Sequence, residues 1–104
     1  MNLRLREHPR ARDELRDAAS WYEEEPRLGD EFLDAIDATL THILEWPLSA
    51  PRIPSWDRSP LVRSMGVKLF PYRVIYFVTD TEIVILAYSH QKRYPGYWQN
   101  RFGS

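Results

Sequence analysis

The chain has 104 residues, of which 43% are hydrophobic, 13% aromatic and 28% charged, with a formal net charge of −1 and no cysteine. A chain of this length has room for one modest core, so residues 1–104 are predicted to form a single domain. The composition excludes a disordered or fibrous protein, and the lack of cysteine excludes disulfides and thiolate metal sites.

The N-terminal segment predicts where the protein works. It is charged throughout and holds no apolar stretch long enough for a signal peptide or a membrane span. We therefore expect a cytoplasmic protein that does not enter a membrane. The three histidines, His8, His42 and His90, lack metal-ligand spacing, so neither a metal nor another cofactor is expected.

Charge is distributed unevenly along the chain. Residues 1–45 carry twelve acidic and six basic side chains and residues 46–104 carry three and eight, so the two parts have net charges of −6 and +5. This asymmetry indicates a basic face for an acidic partner, either nucleic acid or an acidic peptide. The mutual attraction of two layers of the fold is an equally good explanation.

A short first strand is predicted at the N-terminus. Leu3 and Leu5 alternate with Asn2, Arg4 and Arg6, which is the period-2 pattern of a half-buried strand. His8-Pro9 then ends this strand.

Two helices are predicted next. Pro9 suits the first turn of a helix, and apolar residues at 3.6-residue spacing extend helix one to about Glu25. Pro26 cannot continue it, and a second apolar stripe after Leu28-Gly29 predicts a helix that ends near Trp46. Because the connection is so short, the helices are expected to be antiparallel and to form an αα-hairpin.

The C-terminal half predicts a crossover and three strands. Residues 47–60 contain four prolines and no sustained period, which indicates an irregular connection that Trp56 pins down. Asp80-Thr81 is the predicted turn between the last two strands, and the last strand is apolar enough to lie inside the sheet. The predicted strands are Leu61–Leu69, Tyr72–Val78 and Ile83–Tyr88.

The order β-α-α-β-β-β predicts the fold class. Strands grouped after helices favour an α+β fold of two layers, in which an antiparallel β-sheet packs against the N-terminal αα-hairpin. The aromatic tail around Pro95-Gly96 is expected to pack on the core and to close as one helical turn.

Arg73 is the first candidate site residue, because it stands where the segment FPYRVIYFV enters a strand. Its planar fork of donors suits a phosphate or a carboxylate. The alternative is an ion pair with an acidic residue of helix two.

Further candidates follow the last predicted strand, in SHQKRYPGYW. His90 can act as a general acid or base, Arg93 can neutralise a pentavalent phosphate, and Tyr97 can position a leaving group. Together with Arg73, these residues could cut RNA. The alternatives are that His90 is a hydrogen-bonded residue at a sheet edge, and that the tail aromatics pack instead of stacking on bases.

The chain resembles the RelE/ParE superfamily of toxins from type II toxin–antitoxin systems, and in particular the ParE-like plasmid stabilisation proteins. The resemblance spans nearly the whole chain, and its last two motifs are the most specific. It implies a β-α-α-β-β-β fold with the first strand beside the last, and a cognate antitoxin encoded next to the toxin. The motifs are A-x-x-E-L, A-x-x-W-Y, L-G-x-x-F, FPYRVIY and H-x-x-R-x-P-G-Y-W, which start at Ala11, Ala18, Leu28, Phe70 and His90.

One branch of the superfamily cuts mRNA on the ribosome, and the resemblance to it is incomplete. Arg73 and Arg93 match its two arginine positions, and Tyr97 or Trp98 falls near its C-terminal tyrosine. On the preceding strand, however, its members carry lysines where this chain has Ser64 and Gly66. A basic surface of Arg63, Lys68 and Lys92 remains.

The ParE-like branch resembles the chain in its long helical hairpin and FPY motif, and its toxins poison DNA gyrase without being hydrolases. We therefore expect a toxin that inhibits growth through gyrase. Ribosome-dependent mRNA cleavage is the first alternative, and an antitoxin-binding partner without toxicity is the second. In each case the antitoxin is expected to lay an amphipathic helix on an exposed apolar part of the hairpin or sheet, with its acidic residues meeting the basic half.

Overall fold

The computed structural model describes residues 3–102 and confirms the predicted α+β class and element order. Asn2, with which the predicted first strand begins, lies outside the described residues. Within them no helix is long and apolar enough to cross a membrane. The elements are β1 (Arg4–Glu7), α1 (Pro9–Glu24), α2 (Gly29–Glu45), β2 (Val62–Gly66), β3 (Tyr72–Val78), β4 (Glu82–His90) and a 3-10 turn (Gln99–Arg101).

The four strands form one sheet in the order β1-β4-β3-β2. Strands β2, β3 and β4 pair antiparallel, as predicted. Strand β1 lies beside β4, as the resemblance implied, and runs parallel to it, so the sheet is mixed. Periodicity shows which residues face the core but not the direction in which a strand pairs, so this one parallel pair is not visible in the sequence.

The αα-hairpin forms for local reasons. His8 caps α1 by accepting a hydrogen bond at Nδ1 from the backbone N–H of Arg10, at 3.1 Å, and Pro9 occupies the first helical turn. After α1, Arg27 adopts a positive φ of 58°, which turns the chain. The backbone N–H of Leu28 then donates to the carbonyl of Tyr22 at 2.8 Å, and α2 starts at once.

Both faces of the sheet are buried. The helices cover one face, where Phe32, Ile36 and Ile43 of α2 pack against Val74 and Tyr76. The crossover and the tail cover the other face, where Trp56, Tyr97 and Trp98 pack with strand residues that include Ile75 and Leu86. Because both faces are covered, β4 is continuously apolar. The crossover and the tail add a layer of irregular chain to the two predicted layers.

The crossover is irregular but firmly attached, as predicted for Trp56. The indole Nε1 of Trp56 donates to the carbonyl of Pro60 at 2.9 Å, and its ring stacks on Phe102 with centroids 4.8 Å apart. The crossover also pairs with the outer edge of β2, where the Ile53 N–H donates to the Val62 carbonyl at 2.8 Å. The crossover therefore occupies the outer edge of the first half of β2, which is not available to pair with another strand.

Two predicted strand boundaries were wrong. Strand β2 ends at Gly66 and not at Leu69, because Leu69 has a φ of 72° and belongs to the turn before β3. Strand β4 extends to His90 and not only to Tyr88. His90 is thus the last residue of the strand rather than a residue that follows it.

Candidate functional site

Glu14 of α1 is the centre of a polar network on β4. Its carboxylate forms a two-pronged ion pair with Arg101, with Nη1–Oε1 and Nη2–Oε2 distances of 2.9 and 3.0 Å. It also accepts hydrogen bonds from the hydroxyl of Tyr97 at 2.7 Å and from the backbone N–H of Tyr88 at 3.1 Å. The side chains of Glu14 and Arg101 are only 16% and 6% exposed, so this is a buried pair.

The position of this pair follows from the length of β1. Strand β1 pairs with β4 only as far as Ile85, which leaves the backbone of the following β4 residues without a neighbouring strand on that side. There the Arg101 guanidinium donates to the Leu86 carbonyl at 2.8 Å, and Glu14 accepts from Tyr88 N–H. The ion pair thus replaces the missing strand and attaches the tail to α1 and β4.

Arg93 and Tyr97, two of the predicted site residues, lie together beside this network. The guanidinium carbon of Arg93 lies 3.8 Å from the ring centroid of Tyr97, and Arg93 Nη1 lies 3.8 Å from Glu14 Oε2. Burial and the hydrogen bond to Glu14 raise the pKa of Tyr97 to about 12. Tyr97 is therefore protonated at neutral pH, and its hydroxyl already donates a hydrogen bond to a carboxylate.

Arg73 is held by its neighbour on β2. Its Nε donates to Ser64 Oγ at 2.5 Å and its Nη2 donates to the Ser64 carbonyl at 3.2 Å, so Arg73 bonds to a neighbouring strand and not to an acidic residue of α2, which was the alternative to an anion site. A Cβ at Gly66 would lie 3.1 Å from Arg73 Nη1. Ser64 and Gly66 are thus the residues that accommodate this arginine.

His90 lies on the opposite face of the sheet from Arg73. Arg73 pairs with Ser89 and Tyr72 pairs with His90, and successive residues of a strand point to opposite faces. The His90 ring meets Tyr72 edge to face, with centroids 5.1 Å apart, and its Nδ1 accepts from Lys92 N–H at 3.0 Å. The described part of the chain contains no group of three or more His, Asp or Glu side chains that could hold a metal ion.

The three residues of the predicted basic surface differ in burial. Arg63 is half-buried and donates through Nη1 to the carbonyls of Leu48 and Ala50, at 3.0 and 2.7 Å, so it anchors the crossover. Lys68 and Lys92 are exposed. Neither Glu14 nor Arg101 was singled out from the sequence, although a glutamate beside the apolar stripe of α1 is the signal that could have indicated a buried acid.

An apolar groove of about 830 Å³ lies between α2 and the β2–β3 turn. Ala35 and Ala38 line it on the α2 side, and Met65, Leu69 and Phe70 line it on the strand side. Leu69 is 90% exposed even though it is a large apolar residue with a positive φ. The groove is an exposed apolar surface shared by the hairpin and the sheet, which is where a helical partner was expected.

Comparison with known proteins places this architecture in a family. The chain is similar to a solved structure described as the chromosomal ParDE TA system from P. aeruginosa, with a TM-score of 0.69 and 17% identity over 86% of this chain and 96% of that chain. At this identity the likeness shows the fold alone. No curated relative matches the chain in sequence. The family model described as "ParE toxin of type II toxin-antitoxin system, parDE" matches residues 5–95, so the chain belongs to the ParE toxin family.

Proposed function

We propose that this ParE-family toxin poisons DNA gyrase, that it does not cut mRNA, and that a cognate antitoxin neutralises it in the cytoplasm. Membership of the family supports the toxin role and the antitoxin. The choice of gyrase over mRNA is carried by one observation, which is that Tyr97 and Arg93 are bound to Glu14.

Cutting RNA requires a group that accepts a proton close to the cations that stabilise the phosphate. Tyr97 donates a hydrogen bond to Glu14 and its pKa is raised to about 12, so it stays protonated and is a poor proton acceptor at neutral pH. Arg73 uses two of its nitrogens on Ser64. His90 shares a small pocket with Arg93 but lies on the opposite face of the sheet from Arg73, and its Nδ1 already accepts from the Lys92 N–H. The arrangement therefore favours a structural role for these residues over RNA cleavage.

The gyrase proposal is tested with purified toxin in a supercoiling assay, alongside primer extension of mRNA from cells that express the toxin. We expect supercoiling to stop, cleaved DNA to accumulate and mRNA to stay intact. Codon-phased cuts that disappear in Arg93→Ala but persist in Lys92→Ala, the adjacent exposed cation, would establish mRNA cleavage instead. Inactivity in both assays, with antitoxin binding retained, would identify a partner without toxicity.

The groove between α2 and the β2–β3 turn is the proposed antitoxin site. It is apolar and large enough, at about 830 Å³, for the side chains along one face of a helix. Leu69 on its lip is almost fully exposed, which leaves apolar surface that a partner can remove from water.

This site is tested by introducing a charge into it. Ala38→Glu places a carboxylate in the groove, and we expect the toxin to remain active when the adjacent antitoxin gene is co-expressed, because the apolar contact is lost. Thr41→Glu is the matched control, since Thr41 is exposed on the same helix and does not line the groove. Full neutralisation and co-purification of Ala38→Glu would contradict the assignment.

A further inference from the structure

The two walls of the groove carry opposite charge. On the α2 wall, Glu31 and Asp34 are three residues apart, whereas the β2–β3 turn contributes Lys68. All three side chains are exposed, and none takes part in the salt bridges found among residues 3–102. A partner in the groove therefore meets two carboxylates on one side and an ammonium group on the other.

The outer edge of β2 has little room for an added strand. In an antiparallel ladder alternate residues of an edge strand present their backbone groups outward, here Val62, Ser64 and Gly66. The crossover already binds the first two, through Ile53 N–H to the Val62 carbonyl at 2.8 Å and Ser64 N–H to the Pro51 carbonyl at 3.1 Å. Because Gly66 ends the strand, one residue is left for pairing, which is too short for strand addition.

The groove instead has the features that admit a helix. Ala35 and Ala38 are small, so the backbone of a second helix can approach α2 closely. Met65 is an adaptable side chain that can fill gaps under such a helix. Leu69 is held at the lip in a left-handed conformation that is unfavourable for leucine, with φ 72°, so its side chain projects beside the occupant.

We infer that the segment of antitoxin in this groove is an amphipathic helix with two different flanks. The flank that faces α2 carries basic residues, which meet Glu31 and Asp34, and the flank that faces the β2–β3 turn carries an acidic residue, which meets Lys68. This inference rests on the proposed antitoxin site. It differs from the expectation based on net charge, in which the acidic residues of an amphipathic antitoxin helix meet the basic half of the chain.

Synthetic helical peptides test the inference on the intact toxin. Two peptides share one apolar stripe. The first has lysines on one flank and glutamates on the other, and the second has glutamates on both. We expect the first to bind about tenfold more tightly, since exposed ion pairs contribute roughly twofold to fivefold each. The difference should shrink at high salt, because exposed charges are screened.

Charge exchange in the toxin is the decisive comparison. In the double variant Glu31→Lys, Asp34→Lys the order of the two peptides should reverse, whereas Asp37→Lys, on the same helix but outside the groove, should leave it unchanged. Equal binding of both peptides to the unmodified toxin, or a preference that survives the double variant, would overturn the inference. Failure of both peptides to bind would overturn it as well. The proposed antitoxin site is tested independently of the peptides, by whether the antitoxin still neutralises the Ala38→Glu variant.

Discussion

Replacing Glu14 with glutamine removes one charge from the buried pair and nearly preserves the shape of the side chain. The partner, Arg101, is 6% exposed and bonds to both carboxylate oxygens, at 2.9 and 3.0 Å. Breaking a buried pair by removing one partner costs about 3–5 kcal/mol, because the remaining charge loses its compensation. The amide oxygen of glutamine can still accept two of the four hydrogen bonds, so we expect a loss near the lower limit, about 3 kcal/mol of unfolding free energy.

Urea unfolding followed by tryptophan fluorescence measures this loss, because Trp98 lies in the tail that the pair attaches. A domain with a stability of about 5–15 kcal/mol stays folded after such a loss. Asp13→Asn is the control, since it breaks the Asp13–Arg16 pair, whose side chains are 59% and 67% exposed, and should cost under about 0.5 kcal/mol. A second variant, Arg101→Met, completes a double-mutant cycle. The double variant Glu14→Gln, Arg101→Met leaves no uncompensated buried charge, so it should be no less stable than either single variant. A cost below about 1 kcal/mol for Glu14→Gln, or additive single effects, would refute the argument.

Three further predictions concern the cap, the turn and the crossover. Burial and nearby Arg101 lower the pKa of His8 below 6.5, and protonation of Nδ1 opposes the bond that caps α1. The contribution of His8 to stability is therefore complete above pH 6.5 and is lost as the pH falls. In His8→Asn, whose side chain caps the helix without titrating, the urea midpoint should fall less than that of the unmodified protein as the pH is lowered below 6.5. An equal fall in both proteins would contradict this account. Leu69→Gly should raise stability by about 1 kcal/mol by relieving a φ of 72°, yet weaken antitoxin binding, as thermal melts and calorimetry would show. Trp56→Ala should lower stability by about 3 kcal/mol because its buried ring stacks on Phe102, whereas Trp46→Ala, at a 61% exposed site, should change it by less than about 0.5 kcal/mol in the same melts.

The elements that could be predicted from the sequence are those with local causes. Pro9 and Pro26 bracket helix one, and two apolar stripes of helical period locate the hairpin within a residue or two of its observed ends. The end of β2 was missed because residues 67–70 are mostly apolar, and apolar character alone does not reveal that Leu69 has a positive φ. The parallel direction of β1 depends on the path of the whole chain, which no local pattern records.

The candidate site shows the same division between local and long-range causes. Arg93 and Tyr97 are four residues apart in the tail, so their contact is a local one. The pairing of Glu14 with Arg101 joins residues 87 positions apart, so nothing near either residue indicates its partner. Arg73 and His90 both lie at the end of the sheet where β3 begins and β4 ends, and only the register shows that they belong to opposite faces.

The distribution of satisfied and exposed groups separates the part of the protein that holds the fold from the part that binds. Arg101 and Tyr97 of the tail bond to Glu14 of α1, and a ligand there must first break those bonds. In the groove, an exposed leucine is held in an unfavourable conformation, and three charges lie outside the salt bridges of residues 3–102, so binding there adds contacts without removing any. It follows that substitutions in the tail should change stability, whereas substitutions of the exposed charges on the groove surface should change binding with little effect on stability.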